Sequence, residues 1–267
     1  MRYGEELDAP VVRLVPSGTI PALTKVALAE ATAVPADEPV VGVVRAGEAR
    51  AYPLRHLARH ECVNDVLGGA PALVVFAPFA DLAVAYARDG TFASSGALFK
   101  NTPVLEDRET GSHWILYPNV AFAGPRAGAR LPDLEARRST WGAWRRAHPG
   151  STLMAAPDPE AEDGTAFWNR YAAVARTAVP VTHEDDRLPP KTRVAGLLWK
   201  GETAAVPLAG LEDEDAEFTI PNLGPDDVVL ARRGGILEAR TARGRGIPVR
   251  EAFWCVWADL FPETRLA

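Results

Sequence analysis

An internal duplication limits the folds that this chain can adopt. The segment VGVVRAGEARAYPL at residues 41–54 recurs as AGLLWKGETAAVPL at residues 195–208, with both glycines, the Glu and the Pro-Leu pair at matching positions. Further on, WGAW at residues 141–144 recurs as WCVW at residues 254–257, and a proline follows each copy. A chain that repeats two elements in the same order is expected to build one structural unit twice.

Each repeated unit is expected to contain a hairpin and a helix. Runs of apolar and β-branched residues predict strands at 40–44, 49–52, 73–76, 82–87 and 113–117. A short turn containing Gly47 joins the first two runs and predicts a hairpin. Residues 139–146 predict a helix that the hydroxyl of Ser139 or Thr140 caps. Because the tryptophans recur at a spacing of three in both copies, we expect them to pack in the core.

These elements predict an α+β fold that is β-rich and has two unequal internal repeats, each with a hairpin and a Trp-bearing helix. The first, longer repeat is expected over residues 1–155 and the shortened second repeat over residues 181–267. Residues 156–180 are expected to form a linker or loop, because Ala, Pro, Asp and Glu occur near its start without periodicity. Since the second copy lacks the middle of the first, we expect the functional site in that middle.

Composition excludes several classes of function. The net charge of -6, with cations and acids interspersed, provides no basic stripe for nucleic acid or for an anionic membrane surface. The apolar runs are far shorter than the roughly 20 residues that cross a bilayer. The two cysteines have no paired spacing, which favours a reducing compartment. The amino terminus is acidic and has no apolar segment of the kind a signal peptide needs, so we expect no export. We therefore expect a cytoplasmic protein whose partner is a small-molecule ligand, with its oligomeric state left open.

The densest group of polar residues is HLARHECVND at residues 56–65. If this segment is helical, His56 and His60 stand four apart on one face, where two imidazoles can share a metal, and Asn64 continues that face. The alternative is a solvated helix that ends in a capping turn. The corresponding residues of the second copy, 212–215, read EDED and contain no His. We therefore expect that packing alone does not explain His60.

Several motifs, taken in order, resemble one family. They are GEARAYPL at 47–54, HECVND at 60–65, the Gly pair at 68–69, DRETGS at 107–112, AGP at 123–125, WGAW at 141–144 and DDRLPPK at 185–191. Together they are similar to the family catalogued as domain of unknown function 3179. This family has no established reaction, so the resemblance implies architecture more than activity.

The chain also departs from the pattern of that family. Members typically carry a Cys-Pro-Leu-Cys-Gly-Thr stretch, whereas residues 77–82 of this chain read APFADL. A Cys-x-x-Cys pair can bind a soft metal or cycle between dithiol and disulfide, and Ala77 and Ala80 can do neither. The resemblance therefore implies a member whose site no longer uses this pair of thiols.

The predicted function is a small-molecule enzyme that uses His/carboxylate acid–base or metal-assisted chemistry on an unknown substrate. The catalytic candidates, which the resemblance places first, are His60, Glu61, Asn64, Asp65, Asp107 and Arg108. The metal candidates are His56, His60 and His113. No residue is predicted to bind an organic cofactor, and without a thiolate we expect either a substoichiometric divalent metal or no tightly bound metal.

Other roles for these residues stay open. Asn64 and Asp65 could hold a turn, and Asp107 with Arg108 could form a structural ion pair. The whole chain could also be a noncatalytic binding or interaction protein derived from an enzyme-like family. Because the second copy keeps its hairpin without a His, we expect His60→Ala to leave folding stability nearly unchanged.

Overall fold

The computed structural model of this chain describes residues 7–158, 164–214 and 216–267. Parts of two predicted regions lie outside these residues: residues 1–6 of the first repeat and residues 159–163 within the linker. Asp215, the last residue of the EDED segment, also lies outside it.

The described residues are organised mainly into short strands. The strands of the first half are β1 (Val11–Arg13), β2 (Leu28–Ala29), β3 (Pro39–Arg45), β4 (Glu48–Pro53), β5 (Cys62–Leu67), β6 (Ala70–Ala77), β7 (Leu82–Ala87), β8 (Phe92–Phe99), β9 (Thr102–Asp107), β10 (His113–Ile115) and β11 (Val120–Ala123). Those of the second half are β12 (Asp133–Leu134), β13 (Ala136–Thr140), β14 (Thr152–Met154), β15 (Arg193–Trp199), β16 (Glu202–Pro207), β17 (Glu217–Leu223), β18 (Asp226–Arg233), β19 (Ile236–Thr241), β20 (Gly246–Ile247), β21 (Val249–Phe253) and β22 (Arg265–Leu266).

Helices are few and short in the described residues. They are α1 (Leu54–His60), α2 (Trp141–Ala147), α3 (Thr165–Ala172) and α4 (Trp254–Leu260), with one 3-10 turn at Leu208–Gly210. The hydroxyl of Thr140 accepts a hydrogen bond from the backbone amide of Ala143, which confirms the predicted cap of α2. Helix α3 lies within the predicted linker. None of the helices is long and apolar enough to cross a membrane, as far as the chain is described.

The strands assemble into five sheets within the described residues. In strand order, blade I is β1-β8-β9-β10-β11, blade II is β12-β7-β6-β5, blade III is β13-β3-β4-β14-β2, blade IV is β21-β15-β16-β22 and blade V is β17-β18-β19-β20. Neighbouring strands are antiparallel except for the pairs β14 with β4 and β16 with β22. The five sheets are arranged as a five-bladed β-propeller.

The prediction of an α+β fold with Trp-bearing helix repeats is therefore wrong. Helices α2 and α4 are seven-residue segments that each follow one strand of a blade, so they do not form a separate layer. The duplicated sequence marks only blades III and IV, and the other three blades share no motif that makes them visible as repeats. Blade V, with three long strands, lies in a part of the chain where we predicted no strand.

Four strands of blade III, β13-β3-β4-β14, match the four strands of blade IV, β21-β15-β16-β22. Gly47 and Gly201 occupy the equivalent hairpin turns β3–β4 and β15–β16, with φ of +79° and +90°. This confirms the prediction that both glycines hold the same turn. Glycine is favoured there because a residue with a side chain rarely adopts positive φ.

Each of these two blades also packs a tryptophan onto a strand glycine. A Cβ atom at Gly42 would lie 2.3 Å from the ring of Trp144, and one at Gly196 would lie 2.4 Å from the ring of Trp257. Both tryptophans are almost completely buried. The duplicated glycines therefore leave room for the tryptophans, which explains why the two motifs recur together.

Blades I and III are built from segments that are distant in the sequence. Blade III receives β3 and β4 from residues 39–53 and β13 and β14 from residues 136–154, while blades I and II occupy most of the chain between them. Blade I receives β1 from the amino-terminal segment, which pairs with β8. Apolar clusters fill the spaces between blades, and the largest contains residues of blades I, II and IV.

Candidate functional site

The candidate site lies where α1 ends and β5 begins. Helix α1 ends at His60, and Glu61 reverses the backbone with φ of +55°. The amide of Glu61 donates to the carbonyl of Leu57 at 2.8 Å, and its carbonyl accepts from the amide of Phe76 at 2.9 Å. Asn64 consequently lies in β5, so the prediction that it continues one helix face with His56 and His60 is wrong.

The Glu61 side chain lines a cavity of about 250 Å³. Its apolar walls come from the amino-terminal segment, the β6–β7 turn, β8 and two helices: Leu14, Val15, Ile20, Ala58, Pro78, Phe79, Gly96, Ala97, Leu98 and Phe167. The other lining residues are Thr19, Arg59 and Ser94. Thr19 and Arg59 are exposed, whereas Ser94 is buried. The cavity is therefore mainly apolar, with Glu61 and Ser94 as its buried polar residues.

The carboxyl group of Glu61 is desolvated and only partly bonded. Glu61 is 5% exposed, and its Oε2 has no hydrogen-bond partner among the described residues. Burial raises the pKa of the Glu61 carboxyl from 4.5 to about 7, and a hydrogen bond with the Ser94 side chain opposes this only in part. Because the charged form is disfavoured in an apolar setting, both protonation states are populated near neutral pH.

His60 does not take part in this cavity. Its ring is 8% exposed, and Nδ1 lies 2.7 Å from the carbonyl oxygen of Pro21, to which it donates a hydrogen bond. This contact connects the end of α1 to the amino-terminal segment. The expectation that packing does not explain His60 is therefore wrong, because His60 is a buried, hydrogen-bonded residue.

We expect His60→Ala to lower the free energy of unfolding by about 1–3 kcal/mol, since the variant loses a partly buried hydrogen bond to Pro21 and the packing of the buried His60 ring. Chemical denaturation followed by tryptophan fluorescence measures this change. His56→Ala is the matched control on the same helix, where the side chain is partly exposed, and a smaller loss is expected. Equal stability of His60→Ala and the parent would contradict a structural role for His60.

Asn64 connects two blades. Its Nδ2 donates to the carbonyls of Phe92 at 2.8 Å and of Leu23 at 3.2 Å, and its Oδ1 accepts from the amide of Phe92 at 2.8 Å. These bonds join β5 of blade II to β8 of blade I and to the amino-terminal segment. All three hydrogen bonds join the Asn64 side chain to backbone atoms, so its amide group positions strands. Asn64 is not among the residues that line the cavity.

Asp65 belongs to a buried ion pair. Nη1 of Arg50 donates to both carboxylate oxygens at 2.7 and 2.6 Å, and the hydroxyl of Tyr52 donates at 2.6 Å. The amide of Val66 donates to the same carboxylate at 2.7 Å. Burial, with the nearby Asp65 carboxylate, raises the pKa of the Tyr52 hydroxyl well above its ordinary value. This network joins blades II and III and has a structural role.

Asp107 holds the turn between β9 and β10. Its carboxylate accepts from the amides of Glu109 and Thr110 and from the Thr110 hydroxyl, at 3.0, 3.3 and 2.9 Å. Burial acts to raise the pKa of Asp107, but these bonds and Arg126 at 3.3 Å hold it below the ordinary value. The cation that pairs with Asp107 is Arg126, and Arg108 itself is exposed.

The metal candidates occupy different elements. His56 and His60 lie on α1, whereas His113 lies on β10 of blade I with its ring beside that of Phe122. No group of three or more His, Cys, Asp or Glu side chains suited to hold a metal occurs in the described part of the chain. The geometry therefore offers no set of ligands around these imidazoles.

The two positions at which the family typically carries its Cys-x-x-Cys pair cannot perform thiol chemistry in this chain. Ala77 and Ala80 are fully buried at the turn after β6. The two cysteines, Cys62 and Cys255, are free and buried. Burial raises the pKa of the Cys62 thiol well above its ordinary value and that of Cys255 to about 11. Both are therefore protonated, weakly nucleophilic thiols at neutral pH.

Sequence reasoning missed most of the cavity wall, including Ser94, Phe79 and Phe167. One signal could have revealed part of it: the run SSG at residues 94–96 lies within an otherwise apolar strand. Gly96 has φ of +77°, and a Cβ there would lie 2.3 Å from the carbonyl oxygen of Val15. A glycine inside a strand often marks a close backbone approach, which here brings the amino-terminal segment over the cavity.

The structure thus defines a five-bladed β-propeller with a buried carboxyl group in a small apolar cavity. The sequence model of one protein family, described as "Protein of unknown function (DUF3179)", matches residues 16–245. The chain therefore belongs to this family. This confirms the resemblance that the motifs indicated. Comparison with curated proteins and with solved structures finds no match.

Proposed function

We propose that this protein is a small-molecule enzyme in which Glu61 transfers a proton within the apolar cavity. The observation that carries the proposal is the buried Oε2 of Glu61, which lacks a hydrogen-bond partner among the described residues, in a residue that lines a cavity of about 250 Å³. Among the predicted site residues, the carboxylates of Asp65 and Asp107 are occupied by structural hydrogen bonds. Glu61 differs from them because its buried Oε2 has no hydrogen-bond partner among the described residues.

A purely structural role for the Glu61 side chain explains this arrangement poorly. An unpaired buried carboxyl group destabilises the folded state, and an apolar residue of similar size would avoid this penalty. The backbone of Glu61 makes the contacts that shape the turn, and those contacts do not depend on the carboxyl group. A side chain that breaks the rules of core packing without a structural benefit indicates a functional position.

The proton-transfer step follows from the electrostatics of the site. With a pKa of about 7, the carboxyl group can donate a proton to a bound acceptor atom and then recover one from solvent, or act in reverse. The Ser94 side chain beside the carboxyl group partly opposes the rise of its pKa. The Glu61 carboxyl is itself largely removed from water, which strengthens its electrostatic interactions. His60 has a supporting role, because its hydrogen bond to the carbonyl of Pro21 fixes the end of α1.

We expect Glu61→Gln to lose at least about 100-fold of the activity, because proton transfer by a positioned side chain contributes about 10²–10⁴-fold. The measurement is turnover of a panel of small carbonyl and hydroxyl compounds by the purified parent and the variant. Ser17→Ala, on the exposed amino-terminal segment outside the cavity lining, is the control and should retain activity. Equal turnover by Glu61→Gln and the parent would refute the proposal. Ligand binding without turnover would favour the noncatalytic alternative.

The same variant has a second readout, the pH dependence of stability. The folded state holds the Glu61 proton up to about pH 7, whereas the unfolded chain releases it near pH 4.5. The stabilisation from this tighter proton binding is therefore complete below pH 4.5 and is lost as the pH rises to 7. It amounts to about 3 kcal/mol. Glu61→Gln should lack this decline, so its stability relative to the parent should rise between pH 5 and pH 8.

A further inference from the structure

The polar lining of the Glu61 cavity is too sparse to solvate a charged ligand. Inside the cavity the buried polar groups are the Glu61 carboxyl and the Ser94 hydroxyl, and Ser94 already bonds to Glu61. An ammonium group brings three donors and would leave some of them unpaired against apolar walls. A carboxylate ligand would face the Glu61 oxygens, and the lining cation, Arg59, is exposed to solvent.

Besides Glu61, the one ionisable side chain among the described residues that line the cavity is that of Arg59, which is exposed. On α1, Arg59 is solvated and the His60 ring is bonded to Pro21. On β5, the Cys62 thiol stays protonated because burial raises its pKa. The residues that line the cavity from the amino-terminal segment, the β6–β7 turn, β8 and α3 are uncharged. Binding should therefore follow the protonation state of Glu61.

The size of the cavity limits the ligand further. Its volume of about 250 Å³ lies below the range of roughly 300–1,000 Å³ that is usual for pockets that bind drug-sized ligands. Aromatic side chains, Phe79 and Phe167, pack edge to face at 5.7 Å on one wall. A compact ring or short branched chain fits such a space better than an extended polar molecule.

We propose that the cavity takes a small, uncharged, mainly apolar carbonyl compound whose oxygen accepts a hydrogen bond from the protonated Glu61 carboxyl. This inference rests on the proposed role of the Glu61 site and names its class of substrate. The acid form supplies the one donor that a carbonyl oxygen needs, and the apolar walls contact the rest of the molecule. No charge is then buried when the ligand binds.

Three probes of similar size test the charge of the ligand: acetophenone, 1-phenylethylamine and benzoate, which keep their charge states between pH 6 and pH 8. Ligand-observed NMR titration gives the Kd of each for the full chain. We expect acetophenone to bind best, with a Kd about tenfold lower at pH 6 than at pH 8, because the protonated fraction of Glu61 falls by that factor around a pKa of about 7. Failure of acetophenone to bind at pH 6 would overturn the inference. Preferred binding of the amine, strengthening as the pH rises, would overturn it as well.

Two variants connect the pH effect to Glu61. Glu61→Gln keeps an N–H donor without a titrating group, so it should bind acetophenone with the same Kd at both pH values. Glu61→Leu lacks the donor and should bind it more weakly than Glu61→Gln at either pH. Unchanged pH dependence in Glu61→Gln would contradict the inference.

These outcomes separate the inference from the proposed function. If acetophenone binds as expected but Glu61→Gln retains full turnover of the parent's substrate, the proton-transfer role fails and the ligand class stands. If turnover requires Glu61 but the cavity prefers the amine, the ligand class fails and the proton-transfer role stands.

Discussion

Replacing Gly42 or Gly196 with alanine should lower the free energy of unfolding by about 3 kcal/mol or more, at the upper end of what overpacked cores show. The added methyl group would lie 2.3 Å from the ring of Trp144 in blade III or 2.4 Å from that of Trp257 in blade IV. Neither ring can move freely, because Trp144 Nε1 donates to Ser151 at 2.7 Å and Trp257 Nε1 donates to Thr264 at 2.9 Å. Urea denaturation of each variant beside the parent measures the change.

Gly246→Ala is the matched control for these two variants. Gly246 also lies in a strand, β20, but a Cβ there would meet no atom within 4 Å. Its stability should therefore stay close to that of the parent. If Gly42→Ala were as stable as Gly246→Ala, the close packing of tryptophan on glycine would not explain why the two motifs are duplicated.

Asp65→Asn should cost about 3 kcal/mol, because it leaves the buried guanidinium of Arg50 without its main counter-charge. The side chains of Arg50 and Asp65 are 8% and 6% exposed, so solvent compensates little. Glu48 still contacts Arg50, which keeps the loss toward the lower end of the range for broken buried pairs. Thermal and urea unfolding measure the change.

An exposed ion pair provides the control for Asp65→Asn. Glu217 and Arg233 lie 3.0 Å apart with side chains about half exposed, so Glu217→Gln should cost less than about 1 kcal/mol. Replacing Arg50 and Asp65 together by Met and Leu should recover part of the loss, since the buried guanidinium is removed and the Glu48 carboxylate that loses it is one-third exposed. A stability of Asp65→Asn equal to that of Glu217→Gln would mean that the buried pair contributes nothing.

The sequence predicted the duplicated unit but not the propeller. The hairpin turns at Gly47 and Gly201 follow from local rules, because turn residues and strand patterns act over a few neighbours. The number of blades depends on which distant strands pair, and β1 with β8 or β14 with β4 leaves no local signal. Two similar blades out of five therefore suggested two repeats and an α+β fold.

The candidate site was predicted as a motif, not as a geometry. The segment at residues 60–65 does contain the group that lines the cavity, but spacing could not tell which side chain it was. Asn64 and Asp65 carry the same kinds of atoms as a catalytic residue, and only their contacts show that they join blades. Glu61 differs by the absence of such a contact at Oε2 among the described residues, which a sequence cannot show.

The shared construction of blade III affects how the chain can reach its native state. The β3–β4 hairpin forms early in the sequence, yet its outer partners β13 and β14 arrive only after the strands of blades I and II have been made. During synthesis the outer edges of β3 and β4 therefore stay unpaired while nearly a hundred further residues are added to the chain. Such long-range pairing slows folding and makes it cooperative, since blade III is completed only when the chain around it is in place.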